Sequence, residues 1–479
     1  MLSKVNKIKK FYNNFSAPVK ATMWFLICSI IQKCFSLIST PIYTRILSTS
    51  EYGKVANFSS WYELLYPFAT LYISGIAYNN VLVKYENDKD KATFSLMTLT
   101  SCVTTGFFII YLFWNNWFNK WLDISTTMMF FMFLQLLFVP VFDFWSAKER
   151  YDYKYKRLII VTIGNTIATL VLSIVSILIA QHKYEARVVS GIFVIAATGI
   201  AIYLSTWKKA KGINIDYWGY ALRISIPLIP HYLSMKILNQ ADRVMITKMV
   251  GVSETGIYSL AYTVSMLALV ITDAINRSLC PYIYKKIRSK EVQEIRKTTH
   301  SVILLVLGAI VIEMFVAPEL IHIFATKDYL AAIWIIPPVA LSVFFIFIYV
   351  LFSNVEFYYE KTIFATLSSL FVAIVNVGLN YLFIRLFGSL AAGYTTLACY
   401  IIFALLHYLN YKVVTKKNAD LSNVYDIKFI VILSVIGILC MLACLFLYRY
   451  TLIRWLIVIA IMLLSYIYRS QIIKVFKLK

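Results

Sequence analysis

The sequence predicts an all-α integral membrane protein of about fourteen transmembrane helices, built as two pseudo-symmetric six-helix bundles plus two C-terminal helices. Three observations predict it. The 479 residues are 60% hydrophobic and only 14% charged, with a mean hydropathy of +0.73. Soluble domains sit nearer half apolar and a quarter charged, so lipid is the natural solvent for this chain. Fourteen apolar runs approach the roughly twenty residues that a helix needs to cross a bilayer. Finally, Lys and Arg fall in alternate connections between those runs, 31 on one side against 10 on the other. The net charge of +23 is therefore a topology signal, not a nucleic-acid-binding face.

Residues 1–20 are polar and basic (Lys4, Lys7, Lys9, Lys10, Lys20). The apolar run from Ala21 is long enough to span and carries no small-residue cleavage site behind it, so it reads as a retained first helix. Spans follow near 21–43, 55–83, 93–114, 124–146, 158–180, 188–206, 218–247, 254–282, 299–317, 330–355, 362–384, 389–411, 429–448 and 452–468. The longest runs are expected to contain kinks or interfacial turns; Pro227 and Pro230 are expected to break the seventh, and Pro337 and Pro338 the tenth. Fourteen spans put both termini on one side, and the basic bias makes that side the cytoplasm.

The connections are too short for a folded soluble module, which excludes an enzyme with a separate catalytic domain. No GxxxxGK[ST], HExxH or GxSxG pattern occurs, and neither enzymatic activity nor a cofactor is expected. The seven cysteines (Cys28, Cys34, Cys102, Cys280, Cys399, Cys440, Cys444) lie in or beside apolar runs without a CxxC. They read as packing residues and not as a metal site.

A shift of 203 residues lays the first hairpin on the seventh and eighth spans without a gap. Lys20 then meets Arg223, Lys33 meets Lys236 and Arg45 meets Lys248, while Ser50, Glu51 and Gly53 meet Ser253, Glu254 and Gly256. Six spans precede the second copy, so both copies start from the same side, the repeat is parallel and its axis runs along the membrane normal. The expected domains are 1–206 and 207–411, two six-helix bundles facing a central cavity, with spans 13 and 14 in 412–479.

A charge at the bilayer centre costs about 2.5–3.5 kcal/mol on insertion scales, so charged residues there face protein or water. On span 1, Ser29, Lys33, Ser36 and Thr40 recur at i, i+4, i+7 and i+11. On span 7, Tyr232, Lys236, Asn239 and Arg243 repeat that spacing, with His231 and Gln240 nearby. Two such stripes suit an anion held by cations in low dielectric. Arg45 and Lys248 sit towards the outer interface. Among the acids, Glu63 has no basic residue three or four positions away in the sequence and is a candidate for an ion-coupling role, with Asp273 and Glu313. Asp273 also has Arg277 four residues on, and Asp242 lies beside Arg243, so pairing is the plainer reading for both. Asn376 and Asn380 share a face, as polar residues between packed helices do, and His407 reads as a lone packing histidine.

Several stretches resemble one family. Lys33-Cys-Phe-Ser-Leu-Ile-Ser-Thr-Pro-Ile-Tyr-Thr-Arg45, continuing to Glu51-Tyr-Gly53, is similar to the first hairpin of the polysaccharide transporters, the Wzx-type oligosaccharide flippases. So are Pro227-Leu-Ile-Pro230-His231, Asn239-Gln-Ala-Asp242-Arg243 and Gly251-Val-Ser-Glu-Thr-Gly256-Ile-Tyr258. The run Asn376-Val-Gly-Leu-Asn380, followed by Gly388-Ser-Leu-Ala-Ala-Gly393, completes the order. The resemblance implies the fold of the multidrug/oligosaccharidyl-lipid/polysaccharide exporter superfamily. It implies translocation of a polyprenyl-pyrophosphate-linked glycan across the bacterial cytoplasmic membrane for a surface polysaccharide, alongside membrane lipids and the polymerase machinery that uses the product. A coupling ion would be Na⁺ or H⁺. Two alternatives stay open: a cation-coupled multidrug exporter of the same superfamily, and a membrane-embedded polymerase or ligase, for which the external connections are short.

Overall fold

The computed structural model describes residues 16–361, 363–416 and 424–467. The N-terminal lysines Lys4, Lys7, Lys9 and Lys10 and the C-terminal tail, on which the orientation of the termini partly rests, lie outside the described residues. Among those described the chain is helical throughout, in agreement with the predicted fold class, and it divides into two compact units, Met1–Leu233 and Ser234–Lys479.

In the first unit, α1 (Ala17–Ile46) opens with Pro18 in its first turn, where the missing N–H is no loss. Helix α2 (Thr49–Ala69) starts on a capping box in which Ser48 and Glu51 satisfy each other's backbone N–H groups. The chain then leaves helical geometry over residues 70–77, with Leu71 and Tyr72 both left-handed at φ 52° and 43°. It resumes as α3 (Tyr78–Lys84) and crosses back as α4 (Lys89–Phe113). The break is deep. Thr104 Oγ1 donates to Ala69 O at 2.8 Å, and Thr104 stands fifteen residues, about 22 Å, inside α4. Non-helical backbone at that depth is tolerated only when protein or water covers it. A Cβ at Gly75 would lie 2.6 Å from the Tyr72 ring, so a larger residue there would displace that ring.

The short α5 (Asn115–Leu122) carries exposed Trp117 and Trp121, the composition of an interfacial anchor. Helices α6 (Thr126–Tyr151), α7 (Tyr155–Ile179) and α8 (Lys183–Ala210) complete the set. The core gathers Tyr78, Leu82, Leu96, Phe144 and Trp145.

Helix α9 (Asp216–Met249) contains the division between the units. It runs unbroken through Pro227 and Pro230, contrary to the expected break. Transmembrane helices absorb proline because neighbouring groups satisfy the freed carbonyls. In the second unit α10 (Val252–Ser265) and α11 (Leu267–Arg288) are separated at Met266, an interruption within the long eighth span. Then come α12 (Val292–Phe315), α13 (Ala317–Phe324), a 3₁₀ segment Lys327–Trp334, and α14 (Ile336–Tyr358), whose first turn holds Pro337 and Pro338. The tenth span thus begins at its prolines and is not broken by them. Helices α15 (Ile363–Phe387), α16 (Leu390–Lys416), α17 (Ile427–Leu447) and α18 (Thr451–Ile467) follow.

Helix α14 is buried along most of its length. Gly393 lets α16 close on it, with the position of a Cβ 3.2 Å from Pro338 Cγ and 3.4 Å from Ile335 O. On α17, Gly437 faces Leu341 and Leu307, so this helix packs on α14 and α12. Arg454, counted from sequence as an external loop charge, is buried in α18 and donates to Phe315 O and to both carboxylate oxygens of Glu319 at 2.7–2.9 Å. Eleven described helical stretches are long and apolar enough to cross a membrane. The predicted spans that miss the criterion are the broken second, the charged α9 and the short apolar stretch of α18.

Candidate functional site

The first unit holds a pocket of about 380 Å³ between α1, α7 and α8, with Phe142 of α6 at its side. Helix α1 contributes Gln32, Ser36, Ser39 and Tyr43, one face at i, i+4, i+7 and i+11. Helix α7 contributes Thr162, Asn165, Thr166 and Thr169, and α8 contributes Arg187. The Arg187 guanidinium lies over the Tyr43 ring, 4.1 Å from its centroid, and the Tyr43 hydroxyl meets Ser173 Oγ at 2.5 Å. Thr198 donates to Asn165 Oδ1 at 2.8 Å, while Asn165 Nδ2 is buried with no acceptor. Among the described lining residues there is one cation and no carboxylate. Hydroxyls and amides both give and take hydrogen bonds, which suits a polyol, and a guanidinium suits an oxyanion.

The stripe anticipated on α1 overlaps this face only in part. Ser36 lines the pocket; Ser29 is half-buried, Lys33 is exposed, and Thr40 is buried with its hydroxyl on Ser36 O at 2.9 Å. The two faces are related by a three-residue shift, a rotation of about 60°. Arg45 is exposed and donates to Pro41 O at 2.8 Å. Glu63 is half-buried on α2. One turn on, Tyr66 donates to Asp143 of α6 at 2.6 Å, a mid-helix carboxylate that sequence reasoning passed over. Tyr232 packs edge-on against Tyr72 from the break, with ring centroids 5.0 Å apart, and His231 packs on Tyr232 at 5.4 Å.

The second unit gathers the polar face of α9. Arg243 is buried, donates to Asn239 O at 2.6 Å and Gln240 Oε1 at 3.1 Å, and lies over the Tyr262 ring at 4.2 Å. The hydroxyls of Tyr262 and Tyr400 both donate to Asn239 Oδ1, at 3.1 and 3.2 Å. Asp242 accepts from Tyr258 and, at 3.5 Å, from Thr396. Asn376 and Asn380 are buried on α15 and bonded to each other at 3.2 Å, with Thr395 donating to Asn380. Asn239, Gln240 and Arg243 are thus brought together, and Asn376 and Asn380 join them through the Thr395–Thr396 turn of α16. Lys236 is half-buried, and Lys248 and Asp273 are exposed. Glu313 is buried, and neither carboxyl oxygen has a side-chain hydrogen-bond partner among the described residues. His407, read as a lone packing histidine, is paired with Glu356.

Known proteins bear on this arrangement. Residues 19–287 match the family described as "Polysaccharide biosynthesis protein", and residues 227–382 match MatE. An "Uncharacterized membrane protein" of Haemophilus influenzae is 21% identical over 358 residues, 72% of this chain and 85% of that one. The "Lsg locus putative protein 1" of the same organism is 28% identical over 103 residues, 21% of this chain and 25% of that one. Among solved structures, the inward closed conformation of the lipid II flippase MurJ superposes with a TM-score of 0.71 at 15% identity, covering 94% of this chain and 100% of that one. An inward-facing multidrug resistance MATE family transporter of the MOP superfamily gives 0.62 at 13% identity, covering 83% and 99%. At these identities the likeness is one of fold, and the expected exporter fold is the one observed.

Proposed function

The chain belongs to the polysaccharide biosynthesis protein family, and from that membership we propose that it is a flippase, moving a polyprenyl-pyrophosphate-linked oligosaccharide from the inner to the outer leaflet of a bacterial cytoplasmic membrane. The observation that carries the reading is the pocket of the first unit, where hydroxyls, amides and a single guanidinium sit inside a membrane-spanning bundle. Lipid-facing helices have no use for such a face, whereas a glycan crossing the bilayer needs replacements for its water.

The sugar hydroxyls exchange hydrogen bonds with Ser36, Thr162, Asn165 and Thr166, while the polyprenyl tail stays in lipid. The pyrophosphate is met by basic groups, with Lys33 the proposed contact in the first unit and Lys236 and Arg243 in the second. Alternating access then releases the glycan outward. A potential negative inside favours exit of an anion by about 2.3 kcal/mol per charge per 100 mV. Inward Na⁺ or H⁺ drives the reset, with Glu313 a candidate carboxylate. Both termini are placed in the cytoplasm, and the polymerase that consumes the glycan is the natural partner.

The MatE match supports a second reading, cation-coupled drug export. Complementation separates them. In a flippase-deficient host that makes surface polysaccharide, the wild-type chain should restore polysaccharide and the equally expressed Lys33→Ala/Lys236→Ala pair should not. Full activity of the pair overturns the role given to the two lysines. Drug resistance conferred without restored polysaccharide would favour export.

A further inference from the structure

We propose that Glu356 and His407 form a proton-binding site inside the second unit, loaded and unloaded as the protein cycles. The proposal rests on the reading of the protein as a transporter. Glu356 of α14 and His407 of α16 are 0% and 2% exposed, and His407 Nδ1 lies 3.1 and 3.0 Å from the two carboxylate oxygens. Aromatic rings seal them: Phe403, Tyr349 and Phe364 stand 4.8, 5.4 and 6.5 Å from the imidazole, centroid to centroid. The pair is one turn inside the 359–361 connection, where Lys361 N donates to Glu356 O at 2.9 Å. Proton exchange therefore has a short path to the side that sequence assigns to the cytoplasm.

Among the described residues no further charged side chain is hydrogen-bonded or ion-paired to either group, while Asp273 of α11 acts electrostatically on Tyr349, whose ring stacks on His407. Helix α11 reaches this level of α14 through Asn276, which accepts from Asn354, and its nearest charged groups, Asp273 and Arg277, are exposed. Tyr284 of α11 packs on Tyr358, and Tyr411 of α16 on Tyr425. On α12, Arg296 and His300 are held by Asp426. Helix α17 brings no charged group to the pair beyond Lys428 in its first turn.

With one proton between them the two groups are neutral as a pair, whether written as carboxylate and imidazolium or as acid and imidazole. A second proton, taken from water with no electron moved, leaves a charge of +1; loss of the first leaves −1. Either charge is costly in the closed, ring-lined interior and cheap once water enters. Opening thus loads a proton and closing expels it, which is the behaviour a coupling site needs.

The test is pH-difference infrared spectroscopy on the purified protein in lipid nanodiscs, between about pH 5 and 8. Acidification should raise a carboxyl C=O band together with imidazole bands, present in wild type and Glu313→Gln and absent in Glu356→Gln. No such band in wild type, or its survival in Glu356→Gln, overturns the proposal. In proteoliposomes holding a lipid-linked sugar, an inward pH gradient should accelerate wild type by about fivefold or more, the lower end of ordinary site-to-site coupling, and leave Glu356→Gln unchanged. Equal acceleration of the variant overturns the proposal as well. If wild type moves no lipid-linked sugar, the flippase reading fails, and the infrared result decides the proton site by itself.

Discussion

Arg187 is the one charged group among the described residues lining the first-unit pocket, so its replacement separates an anion role from general polarity. Arg187→Ala removes the charge and the stacking on Tyr43, an interaction of about 0.5–1 kcal/mol at exposed sites and about 2 when desolvated. Polysaccharide export at equal protein level should fall by about tenfold, the equivalent of 1.4 kcal/mol. Arg187→Lys should recover only part, because an ammonium keeps the charge and loses the planar fork. Unchanged export in both variants would remove Arg187 from the site. This residue was missed from sequence because it sits four positions into α8 and was counted with the loop before it. The α7 face was also missed, although its signal is present in the sequence: Thr162, Asn165, Thr166 and Thr169 fall at i, i+3, i+4 and i+7 in an apolar run. The α1 face was read about 60° off, because packing against α7 and α8 decides which side of a uniformly polar-dotted helix meets the pocket.

Elements were legible where apolar length decides them, and less so where tertiary partners do. The span predicted at 158–180 is α7 (Tyr155–Ile179), and that at 389–411 is α16 (Leu390–Lys416). That the long second and eighth spans would be interrupted was legible from their length, but the positions of the breaks, 70–77 and Met266, were not. Leu71 and Tyr72 carry no turn signal, and their left-handed backbone, which costs roughly 1–2 kcal/mol per residue, is held by bonds such as Thr104 to Ala69 that no local pattern encodes. Two element junctions can be tested. Arg454 ties α18 to α13, and Arg454→Ala strands the Glu319 carboxylate and the Phe315 carbonyl, so a loss of about 3–5 kcal/mol and a lower Tm in detergent are expected. Asp426 caps α17, accepting from Phe429 N at 3.2 Å and from Arg296 at 2.7 Å. The Arg296 bond, then the Phe429 N–H, hold its carboxyl below the ordinary value of 3.8. A depressed carboxyl stabilises the fold fully above that ordinary value and loses its contribution as pH falls through the lowered one. Asp426→Ala should therefore cost about 1 kcal/mol at neutral pH, as lost caps do, and the difference from wild type should vanish in melts taken progressively below pH 3.8.

At the scale of the whole molecule, the basic bias of 31 against 10 predicts a side for every connection, and the proposed direction of transport rests on that prediction. The bias survives the corrections above, because burying Arg454 removes one residue from the minority side and strengthens the asymmetry. Helix α7 provides the clearest ruler: its 25 residues measure about 37 Å, enough for the roughly 30 Å hydrocarbon layer, and it has exposed polar residues just beyond each end. Lys154 precedes it on the predicted cytoplasmic side, and His182 follows it on the predicted outer side. In a variant whose native cysteines are replaced by serine, Lys154→Cys should resist a membrane-impermeant maleimide in intact cells and react after permeabilisation, while His182→Cys should react from outside in both cases. The opposite pattern would invert the molecule. The 359–361 connection beside Glu356 would then face outward, so the proton expected to be released to the cytoplasm would be released outside and the coupling would reverse sign.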